Sequence, residues 1–331
     1  MEIPLIDLSL VKQDETQLEL VDNACRDHGF FLLENHGMEK EIEAMWKASA
    51  SFFAQTTEEK RKLYRTERNP LGYFDKELTK KKRDRKEVFD YMQPRAGSAD
   101  FNQWPKENKS FRVVCENFFD AASDTATKTL EVIYMAYLAA SDLNSELPGG
   151  DKRTSTVRFN FYPQADPLDE KERSEELPLG ELALNHHTDP GILTLLFQDM
   201  VGGLQALSKA NGWINIAPQK DAIVVNLGDS MQVWTNDNYR AAVHRVLLMD
   251  QSPRYSSPYF FNPARDMVLE PLSLLSKASP IYRPFTWQEY IRGRVDDNFS
   301  EQAEDDIQWT RSCVRKRERL WVHTVVFTSS Y

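Results

Sequence analysis

The sequence predicts a mainly β fold with added α-helices, and three observations carry that prediction. From Asp151 onward, short apolar or alternating segments recur with Gly, Pro and Asn between them, the pattern of a sandwich or barrel. Ahead of them, Phe111, Val114, Phe118, Ala122, Ala126, Leu130, Ile133 and Tyr137 recur every three or four residues, one apolar stripe on a long helix. The length of 331 residues fits either a pair of ordinary domains or one large β domain with additions.

In chain order, Ile3 to Asp7 reads as a short strand, Gln17 to His28 as a helix and Phe30 to Leu33 as a second strand. Met38 to Phe53 is again helical, and the long helix from Phe111 is placed to brace one face of a sheet. Thr156 to Tyr162 alternates as a strand does. Further strands are predicted at Leu193 to Phe197, Leu204 to Leu207, Ala222 to Leu227, Val243 to Met249 and Tyr259 to Phe261. After Pro284 a helix follows, with Trp287, Tyr290 and Ile291 on one face. The basic run Lys80 to Lys86 reads as a solvated loop in preference to a nucleic-acid patch, and the acidic Asp166 to Glu176 segment as a mobile loop. There is no internal repeat.

Composition bounds the function. Hydrophobic residues make up 41% and charged residues 28%, as in ordinary soluble domains. A net charge of -10 works against a general phosphate-backbone or anionic-membrane surface. The longest apolar run, Val132 to Ala140, is too short to cross a bilayer. Cys25, Cys115 and Cys313 are widely separated, so neither a disulfide framework nor a cysteine-rich zinc site is expected, and the setting read from them is reducing and cytoplasmic. No secretory signal is visible at the N-terminus.

Four short pieces carry chemistry. In Asn185-His186-His187-Thr188-Asp189-Pro190-Gly191, His187 and Asp189 lie two apart, so on an extended strand they share a face and make a two-ligand metal platform. Alone, the triplet reads more readily as a hydrogen-bonded surface pair. His244, on a later β segment, would complete a two-histidine, one-carboxylate set, which suits ferrous iron and leaves open coordination positions; a closed zinc site would want four protein ligands. Arg254 and Ser256 share a strand face, and a guanidinium beside a hydroxyl suits a small carboxylate, although an isolated Arg is more often a surface ion pair. Finally, Arg158, Asn160 and Tyr162 alternate with Val157, Phe159 and Phe161. The polar set should face a barrel interior and the apolar set the helices.

In this order and spacing, these pieces resemble the iron(II)- and 2-oxoglutarate-dependent dioxygenases of the plant-type, isopenicillin-N-synthase-like group. The resemblance extends over nearly the whole chain. It includes Ile3-Pro4-Leu5-Ile6-Asp7-Leu8, Gly29-Phe30-Phe31 with Asn35-His36-Gly37, Lys86 to Tyr91, Val201 to Gln205, Trp213, Asn226 to Asp229 and Gln232 to Asn236. It implies a double-stranded β-helix, or jelly roll, braced by N-terminal and C-terminal helices. It divides the chain into a helical region at 1–150, a catalytic barrel at 151–270, and a C-terminal helix with a basic tail at 271–331.

By matching position, the resemblance implies that His187, Asp189 and His244 ligate Fe(II). Arg254 and Ser256 would hold the distal carboxylate of 2-oxoglutarate, and Asn160 and Tyr162 would lie near its metal-chelating end with Arg158 close by. The implied reaction consumes dioxygen and 2-oxoglutarate, releases succinate and carbon dioxide, and hydroxylates, desaturates or cyclises an unactivated C–H position. Ascorbate is the implied auxiliary reductant. The implied substrate is a small molecule of the specialised-metabolite kind, with no nucleic-acid or membrane partner and a monomeric enzyme. Candidate substrate contacts are Phe89, Tyr91, Gly72, Tyr73, Asn185, His186 and Phe260. Two alternatives stay open: an iron oxidase of the isopenicillin N synthase type that does without 2-oxoglutarate, and a jelly-roll binder without turnover. His186 next to His187 leaves a ligand swap open, His36 reads as structural, and His28 and His323 have no partner argument. The basic C-terminal stretch has no assigned role.

Overall fold

The computed structural model describes residues 3–66, 68–79, 82–93, 100–139, 147–249 and 252–299. The basic C-terminal tail, His323 and Cys313 therefore lie outside the described residues.

The chain begins with β1 (Leu5–Asp7), α1 (Glu15–Asp27), β2 (Phe30–Glu34), α2 (Glu39–Phe53), α3 (Thr57–Arg61), β3 (Gly72–Phe74), β4 (Leu78–Thr79), β5 (Lys82–Arg83), β6 (Glu87–Met92) and α4 (Lys109–Leu138). It continues with β7 (Thr156–Tyr162), α5 (Glu170–Glu175), β8 (Leu184–His187), β9 (Leu193–Gln198), β10 (Leu204–Ser208), β11 (Gly212–Asn215) and β12 (Ile223–Leu227). Then follow α6 (Asp229–Trp234), β13 (His244–Val246), β14 (Arg254–Phe261), β15 (Val268–Leu269), β16 (Phe285–Thr286) and α7 (Trp287–Phe299).

Two sheets face each other. The larger has eight strands in the order β1-β2-β12-β9-β14-β7-β6-β3, and the smaller has four in the order β11-β10-β13-β8. All neighbouring pairs in both sheets are antiparallel except β1 with β2. The order, with non-consecutive strands adjacent, is that of a double-stranded β-helix. The region expected to be helical also supplies β1, β2, β3 and β6 to the large sheet. One sheet thus runs through the position where the sequence suggested a boundary.

Each long strand of the large sheet alternates cleanly. Val157, Phe159, Leu193, Leu195, Phe197, Val225, Tyr259 and Phe261 are buried against the helical layer, in a core that includes Phe52, Phe118, Ala122 and Ala126. The opposite face points into the barrel. There Phe30, Leu32, Tyr162, Leu196 and Val224 meet Leu204, Ala206 and Val246 of the small sheet. The 30-residue α4 is the main brace, starting at an Asn108 cap whose side chain accepts from the Phe111 amide.

Two charged segments depart from their expectation. In the basic run, Arg83 and Lys86 are buried, and Arg83 makes a bidentate pair with Asp166 at 2.7 and 3.0 Å. The acidic loop instead contains α5, opened by a capping box between Asp169 and Glu172 and tied back through Arg61 to Glu172.

Candidate active site

His187 ends β8 and His244 begins β13, and the two residues stand directly opposite each other across the antiparallel pair. Their ring centroids are 4.2 Å apart. Asp189 follows His187 on the way into the Pro190-Gly191 turn, with its Oδ1 3.7 Å from His187 Nε2. One donor atom from each of the three side chains lies within 4.8 Å of the others, the one such grouping of metal-ligating side chains among the described residues.

The surroundings prepare these atoms for a cation. His187 Nδ1 lies 2.9 Å from the Asn185 carbonyl, and His244 Nδ1 lies 2.8 Å from the Ala242 carbonyl. A carbonyl can only accept, so both Nδ1 atoms carry the proton and both Nε2 lone pairs are left for the cavity. Burial, reinforced by the neighbouring His244, pushes the His187 pKa well below the ordinary histidine value, which favours the uncharged ring. Asp189 Oδ2 accepts from Thr194 Oγ1 at 2.5 Å and Asn226 Nδ2 at 2.8 Å, which leaves Oδ1 as the inward donor. Burial pushes its carboxyl pKa up, but the flanking imidazoles and these two hydrogen bonds outweigh burial, and the net shift is downward. Two imidazoles and one carboxylate, with no fourth protein donor grouped with them among the described residues, make an open site of the ferrous type.

The turn is held from outside. The Asp229 amide donates to the Asp189 carbonyl at 2.8 Å, and the Ser230 amide donates to the Gly191 carbonyl at 3.1 Å. A Cβ on Gly228 would fall 2.1 Å from the Gly191 carbonyl oxygen, so only glycine permits this close approach.

Beside the triad is a cavity of about 930 Å³, roughly the upper end for small-molecule sites. The register orders its floor. Arg254 stands opposite Tyr162, and Ser256 stands opposite both Asn160 and Gln198. Arg254 is 2% exposed, and among the described residues no carboxylate pairs with it. Its Nε donates to the Gly202 carbonyl at 2.9 Å and its Nη2 to Gln198 Oε1 at 3.3 Å. Arg254 Nη1, Gln198 Nε2 and Asn160 Oδ1 are buried without a hydrogen-bond partner. Buried polar atoms in that state cost stability unless a guest satisfies them.

Of the sequence candidates, His187, Asp189, His244, Arg158, Asn160, Tyr162, Arg254, Ser256 and Phe260 all line this one cavity. Tyr162 pairs with Arg254 across the sheet. It sits level with Arg254, the guanidinium carbon 5.0 Å from its ring. Arg158 is already engaged, by a fork to Asp90 at 2.7 and 2.8 Å and by Glu77 at 3.0 Å.

Phe89 and Tyr91 are corrected outright. Both point into the helical core, where Phe89 packs 4.7 Å from Phe52 and Tyr91 5.4 Å from Phe159. Their alternation on one strand face is as expected, but that face meets α2 and α4, and the cavity receives Lys86, Asp90 and Met92 instead. Tyr73 is likewise buried in that core. Asn185 and His186 do not line the cavity; Asn185 reaches the Thr79 carbonyl, and His186 faces Trp213 with centroids 6.3 Å apart. That outward orientation disposes of the ligand swap. His36 is structural, its Nδ1 accepting from the Met38 amide, and His28 Nδ1 does the same for Phe30.

The sequence reading missed Gln198, Thr194 and Asn226. Each faces the barrel at an alternate strand position, a signal present in β9 and β12. It also missed the cavity-lining Trp287, Gln288, Ile291 and Arg292 of α7.

Comparison with known proteins gives the same picture. Residues 153–263 match the family described as the 2OG-Fe(II) oxygenase superfamily, and residues 3–107 match the N-terminal region described for the non-haem dioxygenase in morphine synthesis. Naringenin,2-oxoglutarate 3-dioxygenase of Petunia hybrida is 32% identical over 306 residues, 89% of this chain and 79% of that protein. A full-length Neurospora crassa protein solved in complex with alpha-KG superposes with a TM-score of 0.75 at 27% identity, covering 89% of this chain and 96% of that one. JOX2 in complex with 2OG, Fe and JA superposes with a TM-score of 0.76 at 26% identity, covering 94% and 89%.

Proposed function

Because the chain belongs to the 2OG-Fe(II) oxygenase superfamily, and is thus an iron(II)- and 2-oxoglutarate-dependent oxidoreductase, we propose that its own His187, Asp189 and His244 hold the iron. Arg254, Ser256 and Tyr162 take the distal carboxylate of 2-oxoglutarate, and Asn160 and Gln198 hydrogen-bond along its length. The observation that carries this reading is the buried Arg254 without a carboxylate partner among the described residues, with the orphaned donor Gln198 Nε2 beside it. A small dianionic acid accepts from Arg254 Nη1 and Gln198 Nε2, and a purely apolar ligand leaves both donors unsatisfied.

When bound, iron(II) with 2-oxoglutarate and dioxygen supplies the oxidising power, with succinate and carbon dioxide as by-products. The chain's own work is positional. The Asn185 and Ala242 carbonyls fix both imidazole tautomers, and Thr194 and Asn226 fix the carboxylate rotamer. Leu196, Val246, Pro258 and Phe260 give the cavity apolar walls that exclude water, and α7 borders it through Trp287 and Ile291. We assign the remainder of the cavity to a small-molecule substrate presented to the metal for C–H oxidation, whether by hydroxylation, desaturation or ring closure.

The test is oxygen consumption by the protein loaded with iron(II), with and without 2-oxoglutarate. Succinate equal to the oxygen consumed is the expected result. Turnover that proceeds undiminished without 2-oxoglutarate would move the protein to the isopenicillin N synthase type, and no oxygen consumption with any small molecule would favour the non-catalytic binder.

A further inference from the structure

The turn that carries Asp189 has no strand of its own. β8 ends at His187 and β9 begins at Leu193, so the backbone of Asp189 to Ile192 depends on neighbours for its partners. Three consecutive residues serve all four carbonyls. The Asp229 amide donates to Asp189 at 2.8 Å, Ser230 Oγ to Pro190 at 2.9 Å, the Ser230 amide to Gly191 at 3.1 Å and the Gly228 amide to Ile192 at 2.9 Å. The amides are those at the start of α6, which a helix cannot satisfy internally. The turn therefore sits where α6 sits.

α6 in turn does not hold itself. It has six residues, all buried, and so short a helix gains little from its own hydrogen bonds. Both of its ends are tied to the C-terminal part of the chain. At the far end, the Leu272 amide donates to the Trp234 carbonyl at 3.0 Å. At the near end, the Tyr290 phenol of α7 donates to Asp229 Oδ2, with Asp229 2% and Tyr290 6% exposed. Asp229 thus meets α7 with its carboxylate and the Asp189 carbonyl with its amide. A buried phenol needs an acceptor wherever it lies. This one lies on the helix that walls the cavity, since α7 also presents Trp287, Gln288 and Ile291 to the void. The cavity wall is thereby two hydrogen bonds from the backbone of Asp189.

Resting on the assignment of Asp189 as an iron ligand, we propose that Tyr290 and Asp229 are positioning residues of the metal site. Through α6 they hold the Asp189 backbone while Thr194 and Asn226 hold its carboxylate, so Oδ1 is fixed from two sides. Without the phenol, α6 loses its anchor beside the turn. The carboxylate oxygen then samples positions that the two imidazoles do not match, and iron(II) is held less tightly.

The test uses the full-length protein under anaerobic conditions. Iron(II) affinity is read by competition with a chelator, and melting temperature by calorimetry without metal. Tyr290→Phe keeps the ring and its packing and removes only the hydroxyl. It should weaken iron(II) binding about three- to tenfold, less than the loss of a residue that touches a ligand side chain. Asp229→Ala should do the same, and combining it with Tyr290→Phe should add no further loss, because both cut one path. Asp229→Asn keeps an acceptor for the phenol and should stay within about twofold of wild type. The control is Tyr134→Phe, which deletes a buried phenol that donates to the Pro148 carbonyl at 2.7 Å and lies outside the cavity lining. It should lower the melting temperature and leave iron(II) affinity within about twofold. Wild-type iron(II) affinity in Tyr290→Phe or in Asp229→Ala, or an equal loss of affinity in Tyr134→Phe, would overturn the proposal, and whichever of the first two variants folds decides it alone. An Asp189→Ala variant that binds iron(II) as tightly as wild type would instead overturn the ligand assignment, so the two failures are told apart.

Discussion

Replacing Arg254 by Met should pull two properties in opposite directions. The guanidinium is 2% exposed and is met by one carbonyl and one amide oxygen, with no carboxylate among the described residues. Methionine of similar reach removes a buried charge at little packing cost, so unfolding stability should hold or rise, by up to about 1–4 kcal/mol in comparable replacements. With 2-oxoglutarate the sign reverses. Removing one partner of a buried charge pair costs about 2–5 kcal/mol, or roughly thirty- to several-thousand-fold in Kd. Thermal unfolding without ligand and anaerobic calorimetry with 2-oxoglutarate read the two effects separately. A variant that melts several degrees lower yet binds 2-oxoglutarate normally would refute the reasoning, because Arg254 would then be structural.

Other consequences are as direct. Thr194→Val removes the hydroxyl that holds Asp189 Oδ2 and should weaken iron(II) binding by about 10–100-fold, measured by competition with a chelator. Phe89→Ala should cost about 3–5 kcal/mol of stability while leaving the KM of the folded enzyme unchanged; a raised KM with normal stability would return Phe89 to the substrate pocket. Burial pushes Glu77 up, but Arg158, Arg65 and Lys86 outweigh it and hold it well below the usual carboxylate range. Its folded pKa being depressed, its contribution is intact above the unfolded value of about 4.3 and is lost as pH falls below that. Urea midpoints measured across that window should therefore fall more steeply for wild type than for Glu77→Gln.

The His187–Asp189 half of the triad was legible because it is local, whereas His244 reaches it only through the β8–β13 pairing. His187 and Asp189 lie two apart in sequence, so the pair could be picked out by spacing, although β8 ends at His187 and Asp189 is set by the turn that follows. The same rule, applied to β7, correctly turns Arg158, Asn160 and Tyr162 inward. Applied to β6 it identifies two faces but does not say which one meets the helices, so the aromatic face could be read as lining the substrate pocket. The apolar set faces the helices in both strands, so Val157 and Phe159 already held the answer for Phe89 and Tyr91. The helix α5 had its own signal in Asp169 and Glu172, a capping box hidden within an acidic run. The charged cluster of Arg65, Glu77, Asp90 and Arg158 had none. These residues are scattered along the chain, and nothing in their spacing announces that folding gathers them.

The pairing of His187 directly against His244 also bears on how the protein reaches its native state. β8 is the edge strand of the small sheet, and β13 is its sole neighbour there. An ion that takes one imidazole from each strand crosslinks them in a single alignment. A slip by one residue would turn His187 outward, where His186 now faces Trp213, and would abolish the crosslink. On the proposed ligand set, iron would act as a proofreader of strand alignment, since its binding free energy would be available only to correctly paired molecules. Misaligned copies are left with an unclamped edge, exposed to unfolding and to pairing with other chains.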